Sequence, residues 1–250
     1  MPTHVDLHVK VLDDRVARRA KARGIDVLVY APHFRRYPAI EATAERYSDA
    51  ELLVVPAREV FTGTWRDRKH VLGIDLDEPI PDFVTLEGAM EALDAQAGAV
   101  LAPHPEFLTV SLERDDLATY GDVVDAVEVY NPKHLPAHNR RARATWEAFD
   151  ADAYASSYAH LPGTVGEVWT TFERDIDSRS ALVDALTNGA PRRIERRDGP
   201  AHDLRRGLEM AHLGYENTWK KIDRLLLSGT EPTHPGHIAY GGAYDDVRVY

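Results

Sequence analysis

At the start of the chain Val5, Leu7, Val9 and Val11 alternate with Asp6, His8 and Lys10, a period of two that predicts a strand with one polar face. Asp13 and Asp14 can then cap a short Arg- and Ala-rich helix that Gly24 closes. The apolar run Ile25 to Ala31 reads as a buried strand. The alternation continues with a helix near Ala39 to Tyr47, strands at Leu52 to Val60 and Val71 to Ile74, a helix at Leu86 to Gln96 and a strand at Ala99 to Ala102. A helix near Leu112 to Tyr120, a strand at Ala126 to Tyr130, a helix around Arg140 to Phe149 and a weak strand near Ala153 to Ser157 follow. Strand and helix in regular succession predict parallel strands with crossover helices, as a closed barrel or an open doubly wound sheet. No glycine-rich nucleotide loop is present to favour the open sheet.

Beyond Val165 to Phe172, Ser178 caps a predicted helix to Asn188, with Gly189 just past its end. Ala190 to Pro200, rich in Arg, Gly and Pro, reads as a linker or covering loop. Leu204 to Leu213 and Tyr215 to Leu227 read as amphipathic helices, and Ser228 to Tyr250 as a Gly- and Pro-rich tail. The expected division is a barrel over 1–189 and a linker with a C-terminal helical extension over 190–250.

Composition narrows the chemistry. The chain has 250 residues, 44% of them hydrophobic, enough for a large core, and a net charge of -11. That charge disfavours extended nucleic-acid binding, which needs clustered cations on the protein, but leaves room for a small phosphorylated substrate. No apolar run is long enough to span a membrane and residues 1–10 lack a signal pattern, so a cytoplasmic protein without membrane contact is expected. There is no cysteine, so any metal must be held by carboxylates and by some of the 12 histidines.

In a (β/α) barrel the functional groups lie at the carboxyl ends of the strands. His8, His33, Glu59, His104, Glu128 to Asn131 and His160 all fall at or just past predicted strand ends, which implies convergence on one mouth. Histidines in other loops, namely His134, His138, His202 and His212, read as surface or hydrogen-bonded structural residues. Imidazole and carboxylate together suit zinc, manganese or iron, and a carboxylate can bridge two cations.

The segments resemble, in order, the motifs of the polymerase-and-histidinol-phosphatase (PHP) superfamily. Asp6 to Lys10 resembles the opening Asp-x-His-x-His, and Tyr30-Ala31-Pro32-His33 a strand followed by Asp-His. Pro56-Ala57-Arg58-Glu59 resembles Pro-Gly-x-Glu, His70 to Gly73 the His-x-Leu-Gly, and Ala102 to Pro105 the His-Pro motif. Val127 to Asn131 is similar to Ile-Glu-x-x-Asn, and Ser156 to His160 to the closing Gly-Ser-Asp-Ala-His.

The resemblance covers about Val5 to Gly189 and implies a distorted seven-stranded (β/α) barrel. It also implies a metal-dependent phosphoesterase that hydrolyses a small phosphomonoester or nucleotide with a metal-activated water. His33 and His160 with Asp14 or Asp13 would serve one metal, and Glu59, His70 and His104 another, with Glu59 bridging and His8 nearby. Two divalent ions are expected, with Glu59, His104 and Lys10 in catalytic roles. Arg35, Arg36, Arg66, Arg68 and Asn131 would meet the substrate phosphate. Two departures stand out: Lys10 replaces the second histidine of the opening motif, and Tyr158 replaces the aspartate of the closing one. Both losses fall on one family metal, so Lys10 either supplies positive charge beside Glu59 in place of that cation or points to solvent. A noncatalytic PHP-like binding protein and a nuclease are the alternatives.

Overall fold

The computed structural model describes residues 1–64, 66–107, 110–149, 151–215 and 232–249. The first half runs β1 (Thr3–Val9), α1 (Asp14–Ala22), β2 (Val27–Tyr30), α2 (Tyr37–Tyr47), β3 (Leu53–Thr62), β4 (Lys69–Leu76), α3 (Leu86–Gln96) and β5 (Ala97–Ala102). The second runs α4 (Arg114–Tyr120), β6 (Ala126–Tyr130), α5 (Pro136–Trp146), β7 (Asp152–Ala155), β8 (Val168–Phe172), α6 (Arg179–Thr187), β9 (Arg192–Arg196) and α7 (Pro200–Tyr215). The local signals act as read: Asp13 accepts from the Arg15 and Val16 amides at the start of α1, and Ser178 caps α6 through Ala181. Caps of this kind contribute about 1 kcal/mol each. Gly24 leaves α1 at φ 70°, where a side chain would be strained.

Among the described residues the strands form one sheet in the order β7-β6-β5-β4-β3-β2-β1-β8-β9. The expected all-parallel arrangement holds only in part. Strands β1 to β3 and β5 to β7 are mutually parallel, but β4 is antiparallel to both neighbours, and β8 is antiparallel to β1 and β9. The connection 63–68 between β3 and β4 is too short for a crossover and makes a hairpin instead. The sheet curls into a nearly closed barrel. Val9 pairs with Ala159, and the Lys10 amide donates to the Ala159 carbonyl at 2.9 Å. Strands β7 and β8 meet through Thr170, whose hydroxyl accepts from the Ala155 amide at 3.1 Å and donates to its carbonyl at 2.9 Å. The sheet has nine strands among the described residues, with β9 an edge strand beyond β8.

The core has two layers. Val5, Leu7, Val27, Val29, Val55, Ala57, Leu72, Ala99, Leu101 and Ala126 cluster together, joined by Leu182, Ala185 and Leu186 of α6. Leu28, Val54, Val60 and Val100 instead pack with helix residues such as Val16, Ile40, Met90 and Leu93. Of the polar residues of β1, Asp6 and His8 are buried as well, at 0% exposure, and only His4 near its start is partly exposed.

Two expectations beyond the barrel change. The segment expected as a linker forms β9, an edge strand whose register pairs Arg192 with Phe172 and Arg196 with Val168. The tail does not hang free either: Thr233 and Val247 accept from the Asp82 and Thr85 amides, and Val249 donates to Phe83. The helix expected from Tyr215 to Leu227, with Trp219 and Leu225 to Leu227, lies outside the described residues after Tyr215.

Candidate metal centre

Strand β3 carries Glu59 to the barrel mouth at 0% exposure. Its neighbour Arg58, also buried, donates to the Glu59 carbonyl at 2.6 Å and pairs with Asp82 at 2.5 Å. The two Glu59 oxygens face different groups. Oε1 lies 3.1 Å from His104 Nε2, 3.3 Å from His70 Nδ1 and 3.8 Å from His8 Nε2. Oε2 lies 2.5 Å from Lys10 Nζ and 3.3 Å from His33 Nδ1. Burial pushes the Glu59 carboxyl up, but the Lys10 ammonium and the imidazoles outweigh it and hold it well below the usual range.

Lys10 is the more decisive departure from the motif. It does not point to solvent: it is 7% exposed, and Nζ also donates to the Ala31 carbonyl at 2.6 Å. Burial draws its pKa down to about 8, with Glu59 opposing, so it is mainly an ammonium at neutral pH.

Donor atoms of Glu59, His70 and His104 lie within 4.8 Å of one another. His70 stacks on Phe61, with ring centroids 3.9 Å apart and planes 11° apart. Burial lowers its pKa to about 4, leaving a neutral imidazole with a lone pair to offer. Both ring nitrogens of His70 and of His8 are buried without a hydrogen-bond partner. His104 is oriented from behind. The Ser111 hydroxyl donates to the Phe107 carbonyl at 3.0 Å, so it accepts from His104 Nδ1, also at 3.0 Å. Nε2 then faces a carboxylate oxygen at 3.1 Å, an arrangement that needs a proton or a cation between the two. The donor set fits a divalent ion at this place.

His33 and His160 meet separately, Nε2 to Nε2, at 3.1 Å. Lys133 Nζ lies 2.5 Å from His160 Nδ1, which also faces the Tyr158 carbonyl at 3.0 Å. Asp14, expected to complete this pair, lies exposed in the first turn of α1, beside Tyr47. Asp13 is spent as the cap. A helix that begins this close to β1 commits Asp13 to its cap and leaves Asp14 exposed, so neither acid completes this pair.

The substrate residues expected from sequence divide differently. Asn131 is buried and committed to the fold: it donates to Glu128 at 3.0 Å and accepts from the Lys133 amide at 3.0 Å. Arg35 and Arg36 are exposed, and Arg35 donates to the Tyr30 hydroxyl at 3.0 Å. Arg66 is exposed, while Arg68 is half-buried with its guanidinium 5.4 Å from the Phe83 ring centre. Among the described residues no ion pair joins Arg35, Arg36 or Arg68 to the Glu59 cluster.

Three groups at the mouth were missed in the sequence. Lys133 is buried just past β6, where the strand-end rule already pointed to Asn131. It lies 3.2 Å from Glu209 on α7 and 4.3 Å from the centre of the Tyr158 ring. Glu209 accepts from the amides of His160 at 2.9 Å and Leu161 at 2.8 Å, and from the Thr164 hydroxyl. Nothing local marks an acid on an amphipathic helix as inward-facing. His134, read as a surface or structural residue, is buried and stacks on Phe107, with ring centroids 4.1 Å apart. His202 is structural, paired with Glu167 at 2.9 Å.

The family model PHP_C, described as PHP-associated, matches residues 136–191. No curated protein sequence matches the chain. Among solved structures, PsfC from Pseudomonas syringae is similar with a TM-score of 0.65 and 20% identity, over 85% of this chain and 99% of that one. The lesion-specific endonuclease EndoQ from Pyrococcus furiosus gives 0.53 and 16%, over 78% of this chain and 58% of its own. A protein assigned as a metal-dependent phosphoesterase from Bifidobacterium adolescentis gives 0.50 and 13%, over 64% and 88%. The likeness is one of fold: the chain has the α/β barrel of PHP-type proteins. No helix among the described residues is long and apolar enough to cross a membrane.

Proposed function

We propose that the chain is a metal-dependent phosphoesterase acting on a small phosphomonoester or nucleotide. The observation that carries this reading is the buried meeting of Glu59, His70 and His104, three donors that lie within 4.8 Å of one another. These residues would hold a divalent ion, zinc, manganese or iron by donor type. When bound, such an ion supplies Lewis acidity toward a phosphoryl oxygen and lowers the pKa of a water. The chain's own residues do the rest. Glu59 keeps its negative charge in a buried site, Ser111 fixes the His104 tautomer, and Lys10 adds a positive charge on the far side of the carboxylate. Arg35, Arg36, Arg66 and Arg68 are the cations proposed for the phosphate, and the net charge of -11 favours small anions over polymers.

A second reading, a noncatalytic PHP-like binding protein, is favoured by one observation: Lys10 already neutralises Glu59. Purified chain with manganese or zinc and a panel of phosphomonoesters separates the two. Hydrolysis abolished by chelation and restored by added metal supports the enzyme; no hydrolysis of any phosphomonoester, with or without metal, overturns it.

A further inference from the structure

Positive charge at this mouth comes from the chain itself at two places. On the Glu59 Oε1 side stand three imidazoles, and both ring nitrogens of His8 and of His70 are buried without hydrogen-bond partners. On the Oε2 side the nearest group is the Lys10 ammonium at 2.5 Å, held in place by the Ala31 carbonyl at 2.6 Å. The remaining neighbour there, His33 Nδ1 at 3.3 Å, is a single imidazole nitrogen, and one nitrogen with one oxygen does not make a three-donor site. The other gathering of imidazoles, His33 with His160, has Lys133 2.5 Å from His160 Nδ1, and Glu209 anchors that lysine at 3.2 Å.

Given the metal-dependent reading above, we infer that this centre holds one divalent ion, on Glu59 Oε1, His70 and His104, and that Lys10 and Lys133 stand where further cations would otherwise be gathered. Glu59 then bridges a metal ion and an ammonium rather than two metal ions. A divalent ion on Oε2 would have to displace or deprotonate Lys10, because like charges at hydrogen-bond distance in a buried site repel strongly. An ion between His33 and His160 would need a carboxylate; the Glu59 oxygen beside His33 is held by Lys10, and Glu209, which takes the His160 amide, is engaged with backbone amides and with Lys133. The two lysines also explain how Tyr158 is tolerated in the middle of the cluster. Its ring lies with its centre 5.6 Å from Lys10 Nζ and 4.3 Å from Lys133 Nζ, and the negative face of an aromatic ring suits ammonium groups better than it suits an additional ion that needs oxygen donors.

The test counts ions. Full-length chain stripped with chelator is titrated with manganese(II), the bound ion is counted by elemental analysis after gel filtration, and its electron paramagnetic resonance spectrum is recorded. The expected result is one tightly held manganese per chain with the spectrum of an isolated ion. Lys10→His, which puts an imidazole beside Glu59 Oε2 and His33 Nδ1, should raise the count to two and produce a spin-coupled spectrum from ions sharing Glu59. Two or more tight ions on the wild type overturn the inference and leave the metal-dependent reading standing. No tight ion on the wild type overturns both. A Lys10→His protein with wild-type circular dichroism and a count still at one overturns the role given to Lys10. If that variant does not fold, the wild-type count and spectrum decide alone.

Discussion

Replacing Lys10 with methionine isolates what its ammonium does for Glu59. The side chain is 3% exposed and its partner 0%, so the pair is out of reach of solvent screening. Removing one partner of such a pair costs about 3–5 kcal/mol, because the surviving charge stays buried without compensation. The lower end applies here, since burial already draws Lys10 down to about 8 and part of its desolvation is never recovered. A loss of about 3 kcal/mol is therefore expected in chelator at pH 7. The same substitution should help a metal bind. An ammonium and a divalent ion about 4 Å apart repel by roughly 8 kcal/mol at an effective dielectric near 20. Metal at a hundred times its Kd contributes about 2.7 kcal/mol to the folded state. The variant should thus recover most of its loss in manganese, and should reach that gain at lower metal concentration than the wild type.

Urea unfolding followed by circular dichroism, in chelator and across a manganese series, measures both effects. If Lys10→Met loses under about 1 kcal/mol in chelator, the buried pair is not stabilising Glu59 as argued. If wild type and variant gain equally from the same manganese concentrations, Lys10 does not oppose the ion.

Glu59→Gln and His104→Ala should each lose bound metal and phosphoester hydrolysis while keeping the far-ultraviolet circular dichroism of the fold; wild-type metal content in either would remove that residue from the ligand set. Mononucleotides or simpler phosphomonoesters should be cleaved faster than single- or double-stranded nucleic acid at moderate salt, and a polymer outpacing every small substrate would favour a nuclease. His134→Phe should reduce acid sensitivity. Burial pushes the His134 pKa down to about 2 from 6.5, so the unfolded chain binds a proton that the folded chain does not, and stability present above pH 6.5 is lost as the pH falls. Between pH 6 and 5 the wild type should lose about 1 kcal/mol more than the variant, which keeps the stack on Phe107; parallel stability curves would show that His134 does not carry this dependence.

Legibility in the sequence followed the range of the signal. His33, His104 and His160 each follow a strand, a pattern that a local period and one barrel rule are enough to read, while Glu59, expected at a strand end, lies inside β3, which runs on to Thr62; the structure gathers them together with His8 and His70. The β3–β4 hairpin was equally local, yet the expectation of regular crossovers overrode the short connection 63–68. Asp14 failed for a different reason: its position after β1 says nothing about which way a helix start turns it. Glu209 reaches His160 from a distant stretch of sequence, on a helix whose acids look alike until its docking face is known. Strand β9 was hidden by composition, since an edge strand carrying Arg192, Arg193 and Arg196 reads as a solvated loop.

What an acid does at this mouth is decided by whether backbone amides reach it. Asp6 accepts from the Ser157 and Gly166 amides, at 2.9 and 3.0 Å, and burial raises its pKa to about 6. Glu128 accepts from the His104 amide, the Asn131 side chain and the Ser156 hydroxyl. Glu209 takes the His160 and Leu161 amides. Each of these carboxylates clamps a loop that presents a site residue, and two of those loops hold a residue at positive φ, His104 at 37° and Tyr158 at 46°. Such conformations cost about 1–3 kcal/mol each and persist only where surrounding contacts impose them. Glu59 differs from the other three: its side-chain oxygens are met by imidazoles and an ammonium. A carboxylate so surrounded can still offer an oxygen to a cation, whereas the other three are engaged by backbone amides and neutral side chains; this difference is what favours Glu59 over Asp6 or Glu128 as the oxygen donor of the proposed centre.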